Sequence, residues 1–345
     1  MPAAPPFALT ATRLRMHLVD RLGARLRRVG LDGVLGELDR AAERCPVPGA
    51  AAGEGFTWDE RDRDDPTWWP QGVATTRSGR VLLVSWYAQR GRRLRSPGTR
   101  ISVVDRAHPE GPRYRHVRLV VPHRRPWGPA LGSVRVHAGG IAVQGDLLLV
   151  ADTLFGVRVF RLADVMAVPR RPPAAAGDAS PAGSEDLVLP QLMAFRVPLR
   201  AGARRLRHSF LSTGEVDGRP TLVVGEYRRK DDRPPRLARY PLDPRTGLPA
   251  VDGSGRCAPL EVHEDQPRRM QGVAVHGSTW FLTASSGKGV AGDLYVGAPG
   301  AWHRRRGVLP TGPEDLAWSR PGEELWCVSE WPGQRWVFPV APDRR

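Results

Sequence analysis

The sequence predicts an all-β protein built from a repeated unit, and three observations carry that prediction. From Phe56 onward, short runs of alternating or β-branched residues are separated by Gly, Pro and Asp, in a chain of 345 residues holding 38 Gly and 34 Pro. Such punctuation favours strands and turns over long helices. One phrase then recurs: a polar or glycine-containing opening, a short apolar strand, a turn, and a strongly apolar strand ending in a polar or aromatic cluster. Finally, 41% apolar residues with 11 Trp supply material for a substantial core, which excludes wholesale disorder.

The first copy opens at Gln71-Gly72-Val73 and continues into 81–87. The second opens at His137-Ala138-Gly139-Gly140, turns at Gln144-Gly145-Asp146 and continues into 147–153. The third opens near His208-Ser209-Phe210 and the fourth at Gln271-Gly272-Val273, leading into 221–227 and 280–286. The fifth opens at Glu314-Asp315-Leu316 and leads into 325–331. A third strand follows each copy, at 101–105, 156–162, 237–242, 293–296 and 335–340. The openings Gln71, His137, His208, Gln271 and Glu314 lie 66, 71, 63 and 43 residues apart. Repeats of that length, each supplying three or four antiparallel strands, are propeller blades. The expected fold is therefore a five-bladed β-propeller over 51–345, with a short N-terminal helical extension and linker over 1–50. The outer strand missing from the last copy is expected from 56–59. The segment 169–186, rich in Ala, Pro, Gly and Ser, reads as a disordered insertion. A sandwich or open sheet is the competing arrangement.

In the extension, Leu14, Leu18, Leu22, Leu26 and Val29 recur at helical spacing, with Thr10 or Thr12 to cap and Gly30 to end the helix. A second helix is drawn over 32–44. The first helix is basic on its other face, so its apolar stripe packs on the main domain or lies on an anionic membrane; packing is the expectation. No apolar run reaches 18 residues, which argues against a membrane-spanning helix. Basic residues interrupt 11–29, so no secretory signal is read there, and the chain is expected to be cytoplasmic. Cys45, Cys257 and Cys327 lack zinc-site spacing and read as ordinary thiols.

The formal charge is +16, and Lys230 and Lys288 are the only lysines among 52 basic residues. Arginine rising together with Ala, Gly and Pro follows from a GC-rich coding sequence. The basic runs at 90–95, 200–207, 228–239 and 304–306 fall in turns or beside different strands and carry few aromatic residues, so nucleic-acid binding is not expected. The expected partner is a small molecule, and the expected state a monomer.

The phrases Trp69-Pro70-Gln71-Gly72, His137-Ala138-Gly139-Gly140, Met270-Gln271-Gly272 and Pro313-Glu314-Asp315-Leu316 resemble those of the β-propeller superfamily that includes gluconolactonase and strictosidine-synthase-like proteins. They look closer to uncharacterised five-bladed propellers of actinobacteria. The resemblance covers about 68–340 and implies blade architecture; it does not imply lactonase activity, because the lactonase metal set is not recognisable.

In a blade, the start of the first strand and the end of the second meet on one face, so the polar openings and endings should converge at one mouth of the channel. Candidate catalytic residues are His137, Glu314, Glu226 and Asp152. Candidate ligand contacts are Gln71, Tyr87, His208, Tyr227, Gln271, Glu330 and Trp331. His137 is read as a general base or metal ligand and Glu314 as an acid or metal ligand. Since Glu314 and Asp315 are adjacent in a strand, only one is expected to face the channel, the other pairing with backbone or arginine. Three chemistries fit this ring: opposed carboxylates for glycoside hydrolysis, a divalent cation in the channel with His137 and Asp315 as candidate ligands, or His-carboxylate proton shuttling during hydrolysis or cyclisation. The reading is an enzyme acting on a small polar substrate, as a hydrolase or a secondary-metabolism cyclase. The alternative is a non-catalytic carbohydrate-binding, small-molecule-binding or protein-interaction propeller, its polar ring merely satisfying buried hydrogen bonds.

Overall fold

A computed structural model describes residues 7–89, 97–126, 128–169, 185–198, 205–229, 233–319 and 322–343. Almost all of the insertion expected over 169–186, and most of the basic runs at 90–95 and 200–207, lie outside the described residues.

The recurring phrases become antiparallel runs of four strands. In the first unit, Trp68–Thr75, Val81–Ala88, Thr99–Asp105 and Arg113–Arg125 pair in order. The second orders Ile141–Gln144, Leu147–Asp152, Gly156–Arg161 and Asp186–Arg196 in the same way. Phe210–Val216, Arg219–Gly225, Leu237–Pro241 and Glu261–His263 form the third unit. Met270–His276, Thr279–Ala284, Ala291–Ala298 and Ala301–Thr311 form the fourth. In the fifth, Pro313–Ser319, Glu324–Ser329 and Trp336–Val340 receive Gly55–Thr57 as their outer strand, and Glu43–Cys45 is added outside it. The innermost strands pack on one another in sequence, and the last packs against the first. The molecule is an all-β propeller.

Close approach of neighbouring units explains the recurrent glycines. A Cβ on Gly72 would stand 2.8 Å from the Ile141 nitrogen, and one on Gly272 would stand 2.5 Å from Cα of Asp315. Real side chains do not tolerate such contacts, so the Gln-Gly openings are a packing requirement between units. The core then fills between sheets: Leu83, Ile101, Val103, Val117, Ile141, Val150 and Phe160 form one fully buried cluster joining the first two units.

The extension differs from the periodicity. Helix α1 covers Met16–Gly23 and α2 only Gly30–Leu35. Between them Arg27 and Arg28 pair with Ala167 and Met166, while Arg40 and Ala41 pair with Tyr114 and Arg113. Sheet pairing with the main domain thus ends both helices early, overriding local propensity. Leu18, Val19 and Leu22 of α1 are buried, and Val19 and Leu22 pack with Val120, Met166 and Val188, so the stripe covers the propeller. Among the described residues no helix is long and apolar enough to cross a membrane. A third helix, α3, spans Glu60–Asp64 and is capped by Asp59, whose side chain accepts from the Asp62 nitrogen.

Candidate functional site

Regular pairing of the first two strands is interrupted between Pro70 and Val73, between Met270 and Gly272, and between Pro313 and Leu316. A bulge re-aims the side chains it contains. Those side chains are Gln71, Gln271, Glu314 and Asp315, and they join three consecutive units. Gln271 Nε2 donates to Glu314 Oε1 at 2.7 Å, and Gln71 Nε2 donates to Glu330 Oε2 at 3.0 Å. Glu314 and Glu330 hydrogen-bond to each other between these two amides.

Among the described residues no ion pair is made to either carboxyl, and Arg335 acts on the Glu330 carboxyl through its charge alone. Burial, followed by the charge of Glu330 and the hydrogen bond to it, pushes the Glu314 carboxyl well above the usual carboxylate range. Burial also raises Glu330, to about 7, against the opposing hydrogen bonds from Gln71 and Glu314. The two share a proton near neutral pH, held on Glu314 and donated to Glu330, because two adjacent buried carboxylates cannot both ionise cheaply. Glu314 is 1% exposed, whereas Glu330 is half-buried and opens to the mouth.

Of the two adjacent acids, Asp315 is the one that pairs with backbone, as expected of one of them: its Oδ2 accepts from the backbone nitrogens of Val73 at 3.2 Å and Ile141 at 3.1 Å, in the first and second units. Its backbone meanwhile abuts Gly272 of the fourth unit. Asp315 therefore crosses the channel as a tie. Burial pushes its carboxyl well above the ordinary range despite these N–H donors. Ser85 makes a parallel tie, accepting from the Gly72 nitrogen and donating to the Ala138 carbonyl.

Around the acid pair stand the aromatic residues of other units. The ring of Tyr87 lies 4.3 Å from that of His137, and burial raises its phenol to about 12, with Glu330 and Glu314 adding to the effect. His137 is exposed to solvent, and the groups packed about its ring lower its pKa. Tyr227 is raised by burial and then by Glu314, while Arg229 and Arg269 oppose. Trp331 packs edge-on against Trp69 with centroids 5.1 Å apart.

Other predicted residues are engaged elsewhere. Asp152 accepts from Arg158 Nε at 2.9 Å, and Glu226, fully buried, accepts from Arg236, Arg228 and the Arg207 nitrogen. Burial works against the Glu226 charge, but its arginines hold the carboxyl below the usual range. His208 is fully buried; burial lowers its pKa to about 4, against an opposing backbone hydrogen bond to Leu206. Among the described residues, no group of three or more His, Cys, Asp or Glu side chains is arranged to hold a metal ion.

The sequence reading missed a larger network. Asp62 of α3 meets Arg100 at 2.7 Å through Oδ1, and through Oδ2 meets Tyr114 Oη at 2.7 Å, His116 Nε2 at 2.8 Å and Arg40 Nε at 3.0 Å. Trp86 Nε1 donates to Ser102 Oγ, which donates to His116 Nδ1 and leaves Nε2–H for Asp62. This Ser-His-Asp series has a saturated, fully buried serine and is therefore a structural relay, not a nucleophile. Arg335 Nη1 donates to the Asp62 carbonyl, tying the fifth unit to the same helix.

A cavity of about 1460 Å³ lies at the opposite end, among the hairpins that join first and second strands, and includes Thr75, Gln144, Glu215, His276, Trp280 and Trp318. There Trp318 stacks between His276 and Phe281. Volume favours that end, but the coupled acid pair belongs to the other.

No protein-family model and no curated protein matches the chain. Among solved structures it is similar to a gluconolactonase from Xanthomonas campestris at 17% identity, covering 88% of each chain with a TM-score of 0.36. It is also similar to a thermostable family-43 glycoside hydrolase at 10% identity, covering 80% of this chain and 91% of that one with a TM-score of 0.43. A β-propeller domain from Myceliophteria thermophila shares 15% identity over 79% of this chain and 83% of its own, with a TM-score of 0.37. These are loose likenesses of shape, and the reading of the site rests on its own geometry.

Proposed function

We propose that the protein is a hydrolase-type enzyme acting on a small polar substrate at this mouth, with Glu330 as general base and Glu314 as the protonated group that positions and tunes it. The carrying observation is a buried pair of hydrogen-bonded carboxyls, held at both ends by Gln271 and Gln71. A carboxylate poised near pH 7 suits proton abstraction from water or a hydroxyl under ordinary conditions. Glu330, being open to the mouth, is the member that substrate reaches; Glu314 keeps its proton beneath. The His137 ring is a second proton acceptor across the mouth.

Direct contact between the carboxyls disfavours glycoside hydrolysis, which needs them about 5 Å or more apart. It suits hydrolysis of a lactone or similar ester, or a cyclisation that begins with proton removal. We read the repeated units as five blades of one closed ring, the protein as cytoplasmic, and its working state as a monomer.

The test is a pH–rate profile on a panel of aldonolactones and aryl glycosides. Lactone turnover should rise through about pH 7 as Glu330 ionises, and Glu330→Gln should remove it. Unchanged turnover in a Glu330→Gln/His137→Ala double variant sinks the assignment. Binding without turnover across the panel would return the alternative, a non-catalytic propeller.

A further inference from the structure

Resting on the acid–base reading of this mouth, we infer that its substrate carries an oxyanion, a carboxylate or phosphate, that docks on Arg269 while the reacting group meets Glu330.

Several arginines inside this fold are supplied with carboxylates: Arg40 and Arg100 have Asp62, Arg158 has Asp152, Arg236 has Glu226, and Arg239 has Glu261. The buried Arg335 is held instead by the backbone carbonyls of Glu330 and Asp62. Arg269 is held by less. It is half-buried, its Nη1 donates to the Ser286 carbonyl at 3.2 Å, and no carboxylate among the described residues pairs with it. An arginine has five N–H donors in a planar fork, so this one bond leaves most of that fork for another acceptor.

Its backbone is fixed at the mouth. Arg269 has a positive φ of 61°, a left-handed conformation that a non-glycine residue adopts only when its surroundings impose it. The strain is held by two hydrogen bonds: its nitrogen donates to the Arg228 carbonyl, and its carbonyl accepts from the Ser285 nitrogen. Arg269 thus bridges the polar ends of the third and fourth units. Two residues later Gln271 grips Glu314, placing the two backbones within about 7 Å. Tyr227 lies between the fields, with Glu314 and Glu330 on one side and Arg229 and Arg269 on the other.

The mouth is therefore dipolar. A guanidinium fork matches carboxylate and phosphate geometry, while the acid pair repels an anion from Glu330. Together these fix which end of a substrate faces which wall. A neutral ligand would leave Arg269 without a counter-charge.

The experiment is calorimetric titration of the full chain with glucuronate, glucose 6-phosphate and glucose, at low and at physiological salt. At least one anion should bind about tenfold or more tightly than glucose, and Arg269→Ala should erase that preference. The two anionic probes separate carboxylate from phosphate. Arg269→Lys, which keeps the charge, should restore part of the preference, and equal melting temperatures would exclude a folding defect. Equal binding of all three probes, no binding of any, or an unchanged preference in Arg269→Ala overturns the proposal. Glu330→Gln distinguishes the two readings. If it spares turnover while Arg269→Ala removes anion binding, the acid–base assignment fails and the dock stands; if it abolishes turnover of neutral lactones while no anion is preferred, the dock fails alone.

Discussion

Asp62 and Glu314 are equally sequestered from water, yet their surroundings are opposite. Burial works against Asp62's charge, but His116, Arg100 and Arg40 overcome it and hold the carboxyl well below the usual range. Around Glu314 the neighbours are Glu330, Asp315 and a neutral amide, and its carboxyl is pushed up. Removing one partner of a buried ion pair strands an uncompensated charge, whereas a buried acid that shares its proton with another acid can be replaced by a neutral group without stranding one. The difference teaches where to look for chemistry: at the acidic group that the protein declined to neutralise.

The comparison breaks most visibly in paired substitutions. Glu330→Gln should lower turnover by about 10²- to 10⁴-fold, the usual weight of a general base, with no loss of thermal stability. Loss of folding together with activity would make the pair structural after all. Asp62→Asn should do the reverse. Leaving Arg40 and Arg100 without their charge partner should destabilise the chain by about 3–5 kcal/mol, read as a lowered urea midpoint, while any turnover surviving at low temperature keeps its pH profile.

Opposite pKa shifts also give opposite pH dependences. Folding raises Glu330 from an ordinary 4.5 to about 7, so between those values the native state holds more protons than the unfolded chain. Its contribution to stability is therefore greatest below pH 4.5 and is lost as pH rises through 7, by about 2 kcal/mol after allowance for its partial exposure. Glu330→Gln should flatten that slope in denaturation curves taken from pH 5 to 8. Asp62 and Glu226 are lowered by their arginines, so their contribution is present at neutral pH and lost only as acid protonates them; removing Glu330 should leave that acid limb intact. The smallest effect is steric. Gly72→Ala, whose new Cβ would meet Ser85 Oγ at 2.7 Å, should cost about 1–3 kcal/mol in melting experiments without moving either pH limb.

The repeat was legible because each unit restates its polar opening and apolar hairpin, and because the glycines at 72, 140 and 272 answer a local packing demand. The convergence of Gln71, Glu314, Glu330, Tyr87 and His137 followed from topology alone. The bulges did not, since one extra residue against a partner strand leaves no mark in hydrophobic alternation. The arginines that engage Asp152 and Glu226 were equally invisible, because side-chain pairing depends on which outer strand lies alongside. Asp62 was hidden in a charged stretch, 59–65, that reads as a solvated loop. Its one available signal was Asp59 placed three residues ahead, a capping arrangement that starts a helix and points Asp62 inward. Arg269 gave no signal, since nothing in one sequence distinguishes an arginine with a carboxylate from one without.

Asp315, fastened by backbone N–H groups of two units and pressed against a third, joins several units through one short side chain, so their inner strands are clasped from within as well as held by the packing between sheets.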